Sequence, residues 1–144
     1  MAKEILFDSP MRDRLMSGIE AVASAVASTL GPSGRTVLIE QEYGNTLITK
    51  DGVTVAKSID LADKVENVGA SLIKSIASKT NDQAGDGTTT STVLAAEMAR
   101  EGVKSVRTGI NPINIKKGID KAVEDTIALL TEDAKTITTK EEIE

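Results

Sequence analysis

The sequence predicts a mainly α-helical fold with one small β element. Three observations carry this. Four apolar stripes run at steps of three and four residues, two short β-branched runs flank Tyr43-Gly44-Asn45, and a 40% apolar share contains almost no aromatics. Phe7 and Tyr43 are the only aromatic residues in 144, so the core must be aliphatic.

Residues 3–7 form a short apolar run that reads as an N-terminal strand, and a lone strand needs a partner from this chain or another. Ser9-Pro10 reads as a helix start, with Ser9 as N-cap and Pro10 at the first helical position. Met11, Leu15, Ile19, Val22, Val26 and Leu30 then make one stripe. Ala21, Ala23, Ala25 and Ala27 fill the spaces between and allow a neighbouring backbone to come close. Gly31-Pro32-Ser33-Gly34 ends the helix.

Residues 36–41 and 46–49 are rich in β-branched side chains, and the turn signal between them predicts a β-hairpin. Lys50-Asp51-Gly52 reads as a tight turn and residues 53–59 as a short helix. Asp63 with Glu66 resembles a capping box and opens a helix whose face is Val65, Val68, Leu72, Ile73 and Ile76. Gly85-Asp86-Gly87 breaks it. Thr88-Thr89-Thr90 opens the next helix, which carries Val93, Leu94, Met98, Val103 and Val106 and closes at Gly109. Asn111-Pro112 starts the last helix, striped by Ile115, Ile119, Val123, Ile127 and Leu130. Met11, Met16 and Met98 read as core or interface filler.

Composition removes most enzyme chemistries. The chain has no His and no Cys, which excludes imidazole acid–base catalysis, thiol nucleophiles, disulfides and zinc centres. The net charge of −5 and the scarcity of aromatics argue against nucleic acid as a partner. No run approaches the roughly 18 apolar residues of a membrane span, and no secretory signal opens the sequence, so a cytoplasmic location without membrane partners is expected.

Three glycine-containing loops remain as carriers of chemistry. In Gly85-Asp86-Gly87-Thr88-Thr89-Thr90 an acidic residue stands between two glycines, ahead of three hydroxyls at a helix N-terminus. Free backbone N–H groups and the helix dipole favour an anion there, and Asp86 would repel a phosphate unless a hard cation such as Mg²⁺ intervened. Mg-nucleotide binding is one reading; a glycine-closed helix followed by a threonine-capped one is the other. Thr29-Leu30-Gly31-Pro32-Ser33-Gly34-Arg35 is either a nucleotide loop or a helix C-cap on Gly31. Asp51 is either a turn residue or a general base, a carboxylate that orients water against a phosphoryl group. Neither the P-loop pattern nor Gly-x-Gly-x-x-Gly occurs.

Taken in order, Thr29-Leu30-Gly31-Pro32, Lys50-Asp51-Gly52-Val53-Thr54-Val55-Ala56-Lys57, Asn67-Val68-Gly69-Ala70, Ala77-Ser78-Lys79, Gly85-Asp86-Gly87-Thr88-Thr89-Thr90, and Asn111-Pro112 with residues 117–123 resemble the chaperonin family over nearly the whole chain. Lys50 before Asp51 points to its group I, bacterial and organellar branch. The resemblance implies that residues 1–134 are the N-terminal half of an ATP-binding equatorial domain. It further implies that residues 135–144 begin the connection toward an intermediate domain, cut short here.

By the same resemblance, Thr29, Leu30, Gly31 and Pro32 line the nucleotide, and Lys50 lies at its phosphate and monovalent-cation end. Asp51 is one of two acidic residues that handle the attacking water, Asp86 is the Mg²⁺ ligand, and Gly87, Thr88, Thr89 and Thr90 cradle the β- and γ-phosphates. The implied cofactors are ATP, Mg²⁺ and K⁺. The implied partners are unfolded substrate proteins, a co-chaperonin and further copies in a homo-oligomeric ring, the first strand and the hairpin joining a neighbouring subunit's sheet. The family chain is several times longer, and its returning segment supplies the second catalytic Asp. This leaves two expectations: an ATPase that drives folding in the full-length protein, or a fragment that acts as a structural and assembly module without turnover. Ser33 stands where the family commonly has Lys, and Val68 where it has Met.

Overall fold

The computed structural model describes residues 5, 7–40 and 45–137. Its elements are α1 (Asp8–Ala27), β1 (Val37–Ile39), β2 (Leu47–Thr49), α2 (Gly52–Ser58), α3 (Lys64–Ala84), α4 (Thr88–Arg107) and α5 (Pro112–Asp133). This is the mainly α arrangement with a small β element that the sequence predicts. The chain divides into two compact units, Met1–Val103 and Lys104–Glu144.

Local chemistry sets several boundaries where expected. Asp63 caps α3, its Oδ1 accepting from the backbone N–H groups of Val65 at 2.9 Å and Glu66 at 3.0 Å. Its carboxyl is held below the ordinary range by the Glu66 N–H, then by the Arg14 guanidinium paired with it. The Glu66 carboxylate accepts from Ser17 Oγ at 3.2 Å, tying this helix start to α1. Asn111 caps α5 through Ile113 N–H at 2.8 Å, with Pro112 following. The strands pair antiparallel in the register Val37↔Thr49, Leu38↔Ile48, Ile39↔Leu47. Val37 and Ile39 pack on the core, while Leu38 and Ile48 oppose each other on the outer face, 68% and 66% exposed.

Other boundaries differ. Ser9 is not the cap of α1: Asp8 turns the chain with φ 58, so Ser9 and Pro10 already lie in the first turn. The helix also stops before Leu30. Ser28 Oγ–H donates to Ala25 O and Thr29 Oγ–H to Val26 O, both at 2.7 Å, and satisfies the last carbonyls there. Of the expected first strand, Lys3, Glu4 and Leu6 lie outside the described residues, and Ile5 and Phe7 are in no strand and exposed. The hairpin turn at Tyr43-Gly44 lies outside them too, as do residues 138–144.

The core of the first unit is built by α1, α2 and α3, with α4 contributing Ala96. Val22, Val26, Val55 and Ile73 are its largest fully enclosed apolar side chains, each contributing about 1.5–3 kcal/mol. The buried face of α3 is Gly69, Ala70, Ile73 and Ala77, which leaves Val68 and Leu72 half exposed, contrary to the predicted stripe. In α4, Thr88, Thr92 and Ala96 are buried and Leu94 and Met98 face outward. Small residues win these positions because the backbones come close. An added Cβ on Gly18 would lie 1.8 Å from Glu66 O, and one on Gly69 would lie 2.1 Å from Leu15 O. Toward α4, Ala23 and Ala27 line a cleft of about 90 Å³ together with Val93, Ala96, Glu97 and Arg100. Arg100 Nε donates to Glu20 Oε1 at 3.1 Å across the same pair of helices.

In the second unit, α5 has no buried residue. Ile119, Val123, Ile127 and Leu130 form the predicted stripe along it, and all four are exposed.

The crossing predicts opposite signs for two Gly→Ala changes. Gly69→Ala should destabilise by about 3 kcal/mol through overpacking against a backbone carbonyl. Gly102→Ala, in α4 with open space around it, should stabilise by about 0.8 kcal/mol through helix propensity. Urea unfolding of both variants checks the pair.

Candidate functional site

The first loop begins where α1 ends. Thr29 and Leu30 bond back through their N–H groups to Val26 O at 3.0 Å and Ala27 O at 3.1 Å. Gly31 takes φ 70, a turn from Gly31 O to Gly34 N–H follows, and Arg35 N–H closes on Ser28 O at 2.7 Å. A Cβ on Gly34 would lie 2.3 Å from Thr29 O, so glycine there lets the loop fold flat over Thr29. The helix cap is Ser28 rather than Gly31. Leu30, Gly31 and Pro32 are exposed beyond it, and Thr29 is half buried.

In the second loop, Asp51 is a helix cap and not a simple turn residue. Its Oδ2 accepts from Thr54 N–H at 2.9 Å and from the Thr54 hydroxyl, and its Oδ1 from Val53 N–H at 3.4 Å. Thr49 Oγ1 accepts the Asp51 N–H at 3.0 Å. The Thr54 hydroxyl holds the Asp51 carboxyl below its ordinary 3.8; partial burial opposes this, and the Thr54 and Val53 N–H groups and the Lys57 charge add to it. Lys50, beside it, is exposed.

The third loop links α3 to α4. Gly85 closes α3 in the left-handed region at φ 73, and its N–H reaches Asn81 O at 2.9 Å. Asp86 Oδ1 accepts from Gly87 N–H at 2.6 Å, and Gly87, at φ 77, delivers the chain to the start of α4. Thr92 is fully buried and donates to Thr88 O at 2.7 Å; Ser91 Oγ–H reaches the same carbonyl at 3.0 Å. These hydroxyls double the bonds to the Thr88 carbonyl in the first turn of α4, a helix end whose first N–H groups have no intrahelical partner.

These loops converge. Thr29 Oγ1 and Thr89 Oγ1 are 3.2 Å apart. Thr29 has one hydroxyl proton and gives it to Val26 O, so Thr89 is the donor of this bond. Gly52 sits against the same group: a Cβ there would lie 2.5 Å from Thr89 Oγ1 and 3.3 Å from both Thr88 Oγ1 and Val26 Cγ1. Thr29, Thr88 and Thr89 therefore share one spot with Gly52, whose Asp-Gly context in the sequence signals a turn. Leu30, Gly31, Pro32, Lys50, Asp51, Asp86, Gly87 and Thr90 stand exposed on the three loops around it.

Among the described residues no cluster of three carboxylate, His or Cys side chains could cage a metal. The donor set suits a cation that takes one carboxylate and completes its shell with phosphate and water oxygens, which is the habit of Mg²⁺. Asp86 is the exposed carboxylate on the loop that leads into α4, where backbone N–H groups favour an anion.

A model of the TCP-1/cpn60 chaperonin family matches residues 22–144. The chain belongs to that family. Chaperonins are protein-folding chaperones that generally form oligomeric rings and bind substrate proteins. The helices and the small antiparallel sheet of this chaperonin chain fit a fragment of the family's mainly α equatorial domain. No helix among the described residues is long and apolar enough to cross a membrane.

The cap on Asp51 gives a pH dependence with a fixed sign. Its folded carboxyl ionises below 3.8, so its contribution to stability is complete above the unfolded value and fades as pH falls through the folded one. Asp51→Asn keeps a neutral cap. The wild type should exceed this variant in urea stability at pH 7, and the gap should close as the pH is lowered from about 5 toward 2.

Proposed function

We propose that this chaperonin segment forms the phosphate and metal side of a Mg-ATP site whose turnover drives protein folding in the complete subunit. The observation that carries it is the meeting of three loops at Thr29, Gly52 and Thr89. In this reading Thr29, Leu30, Gly31, Pro32 and Lys50 line the nucleotide. Gly87, Thr88, Thr89 and Thr90 hold the β- and γ-phosphates on the α4 N-terminus. Asp86 holds Mg²⁺, and K⁺ lies at the Lys50 end. Bound there, Mg²⁺ would neutralise charge on the phosphate oxygens.

Asp51 is the catalytic carboxylate. Two hydrogen bonds from Thr54 occupy its Oδ2, whereas Oδ1 has only the long Val53 contact and keeps acceptor capacity for a water. In this reading it orients the attacking water toward the phosphoryl group. The second acidic residue comes from the part of the subunit beyond this segment. The group I branch, a co-chaperonin partner and a bacterial cytoplasmic location belong to the same proposal.

The outer face of the hairpin supports ring contacts. Leu38 and Ile48 put two apolar side chains side by side on an exposed two-stranded sheet, a form that is marginal without further pairing. Replacing both by Asp should abolish assembly of the complete subunit, read by sedimentation velocity. Unchanged rings would remove the hairpin from the interface.

The exposure of Leu30, Gly31, Pro32 and Lys50 favours a second reading for the 144 residues alone: a structural and assembly module without turnover. Calorimetric titration with Mg-ATP separates the two. The isolated chain is expected to bind weakly and turn over nothing. In the complete subunit, Asp86→Ala should remove Mg-dependent ATP turnover, and Asp51→Ala should leave binding intact while slowing hydrolysis roughly 100-fold. Unchanged turnover in Asp86→Ala sinks the metal assignment.

A further inference from the structure

Gly52 has no backbone reason to be glycine. It opens α2 with a helical conformation, not a positive φ, and alanine is the better helix former. It is buried, and the space its side chain would take is filled by the Thr89 hydroxyl at 2.5 Å. That hydroxyl is the one that donates to Thr29, which in turn donates to the end of α1. A methyl group at position 52 must therefore move the Asp51 loop away from the threonines or push Thr89 off Thr29. The contacts to Thr88 Oγ1 and Val26 Cγ1, both at 3.3 Å, need a shift of only a few tenths of an ångström; the one to Thr89 cannot be absorbed that way.

We propose that Gly52 is a positioning residue for phosphoryl transfer: its missing side chain seats the Asp51 loop on the Thr89 hydroxyl and so fixes the catalytic carboxylate relative to the phosphate cradle. The inference rests on the Mg-ATP reading of the site. It places Gly52 outside substrate contact. Its replacement acts through Asp51 and Thr89, and the loss falls on kcat more than on KM.

The test is a double-mutant cycle in the complete subunit, with wild type, Gly52→Ala, Thr89→Ala and the double variant assayed for Mg-ATP turnover and urea stability. Gly52→Ala should lower kcat roughly 10- to 100-fold, as expected for a carboxylate displaced by an ångström or less, with a smaller change in KM. Thr89→Ala clears the space, so the double variant should turn over within about threefold of Thr89→Ala alone. Equal losses of kcat in both backgrounds mean that the Thr89 contact does not transmit the effect, and that result overturns the proposal. So does wild-type kcat in Gly52→Ala. If Gly52→Ala fails to fold and the double variant folds, the Thr89 contact is confirmed as the cause; if neither folds, the proposal falls. A wild type that neither binds nor hydrolyses Mg-ATP overturns the Mg-ATP reading and this inference together, whereas wild-type turnover with an indifferent Gly52→Ala overturns this inference alone.

Discussion

Gly18 and Gly69 bring α1 and α3 into backbone contact, and much of the first unit depends on that crossing. With Glu66 O and Leu15 O in the places that side chains would occupy, neither helix can rotate to present a larger residue. The crossing is flanked by polar ties, Arg14 to Asp63 and Ser17 to Glu66. Asn67 Oδ1 adds another by accepting Leu61 N–H at 3.2 Å, which ties the segment after α2 to the start of α3. Helices are stiff over these lengths. Fixing them at one point therefore fixes their C-terminal ends, and those ends carry the first and third loops. The tightness at the glycines reaches the site as the placement of Thr29 and Thr89.

In the proposed function Asp51 would meet two demands that pull against each other. As the cap of α2 it satisfies orphan N–H groups, which favours the anion and lowers its pKa. As a base it would need the opposite. The conflict disappears if the carboxylate only orients water, because orientation needs a fixed anion with a free lone pair. The weaker engagement of Oδ1 at 3.4 Å provides that. The same residue shows why a seven-residue helix can hold its place, with one end capped and one face buried through Val53, Val55 and Ala56.

What could be read from the sequence was what local hydrogen bonding and period decide. Asp63 and Asn111 announced their caps, Gly85 and Gly109 their helix ends, and residues 37–39 and 47–49 their pairing. The misplaced stripe residues have two causes. Leu30 lies beyond the end of α1, whereas Val68, Leu72, Leu94 and Met98 fit the helical spacing but lie exposed because smaller residues take the inside positions. At a close crossing, glycine, alanine and threonine take the inside positions: Gly69, Ala70, Ala77, Thr88, Thr92 and Ala96 are buried. Ser9 failed as a cap because a left-handed Asp8, rare for a side-chain-bearing residue, turned the chain one residue earlier. Gly52 was hidden for a different reason. Asp-Gly signals a turn locally, and only the fold reveals that Thr89, distant in sequence, occupies the space above it.

With no His or Cys in the chain, the three loops offer hydroxyls, carboxylates, the Lys50 ammonium and backbone amides, and the hydroxyls make a directional network. Thr89 donates to Thr29 and Thr29 donates to Val26 O, one proton per link, so the chain of bonds runs one way and ends on a helix carbonyl. An anion that claims the Thr89 proton has to break the link to Thr29. A group that approaches the Thr89 lone pairs leaves the link whole. The state of one hydroxyl thus connects the start of α4 to the C-terminal turn of α1, and Gly52, packed against that oxygen, limits how far it can swing.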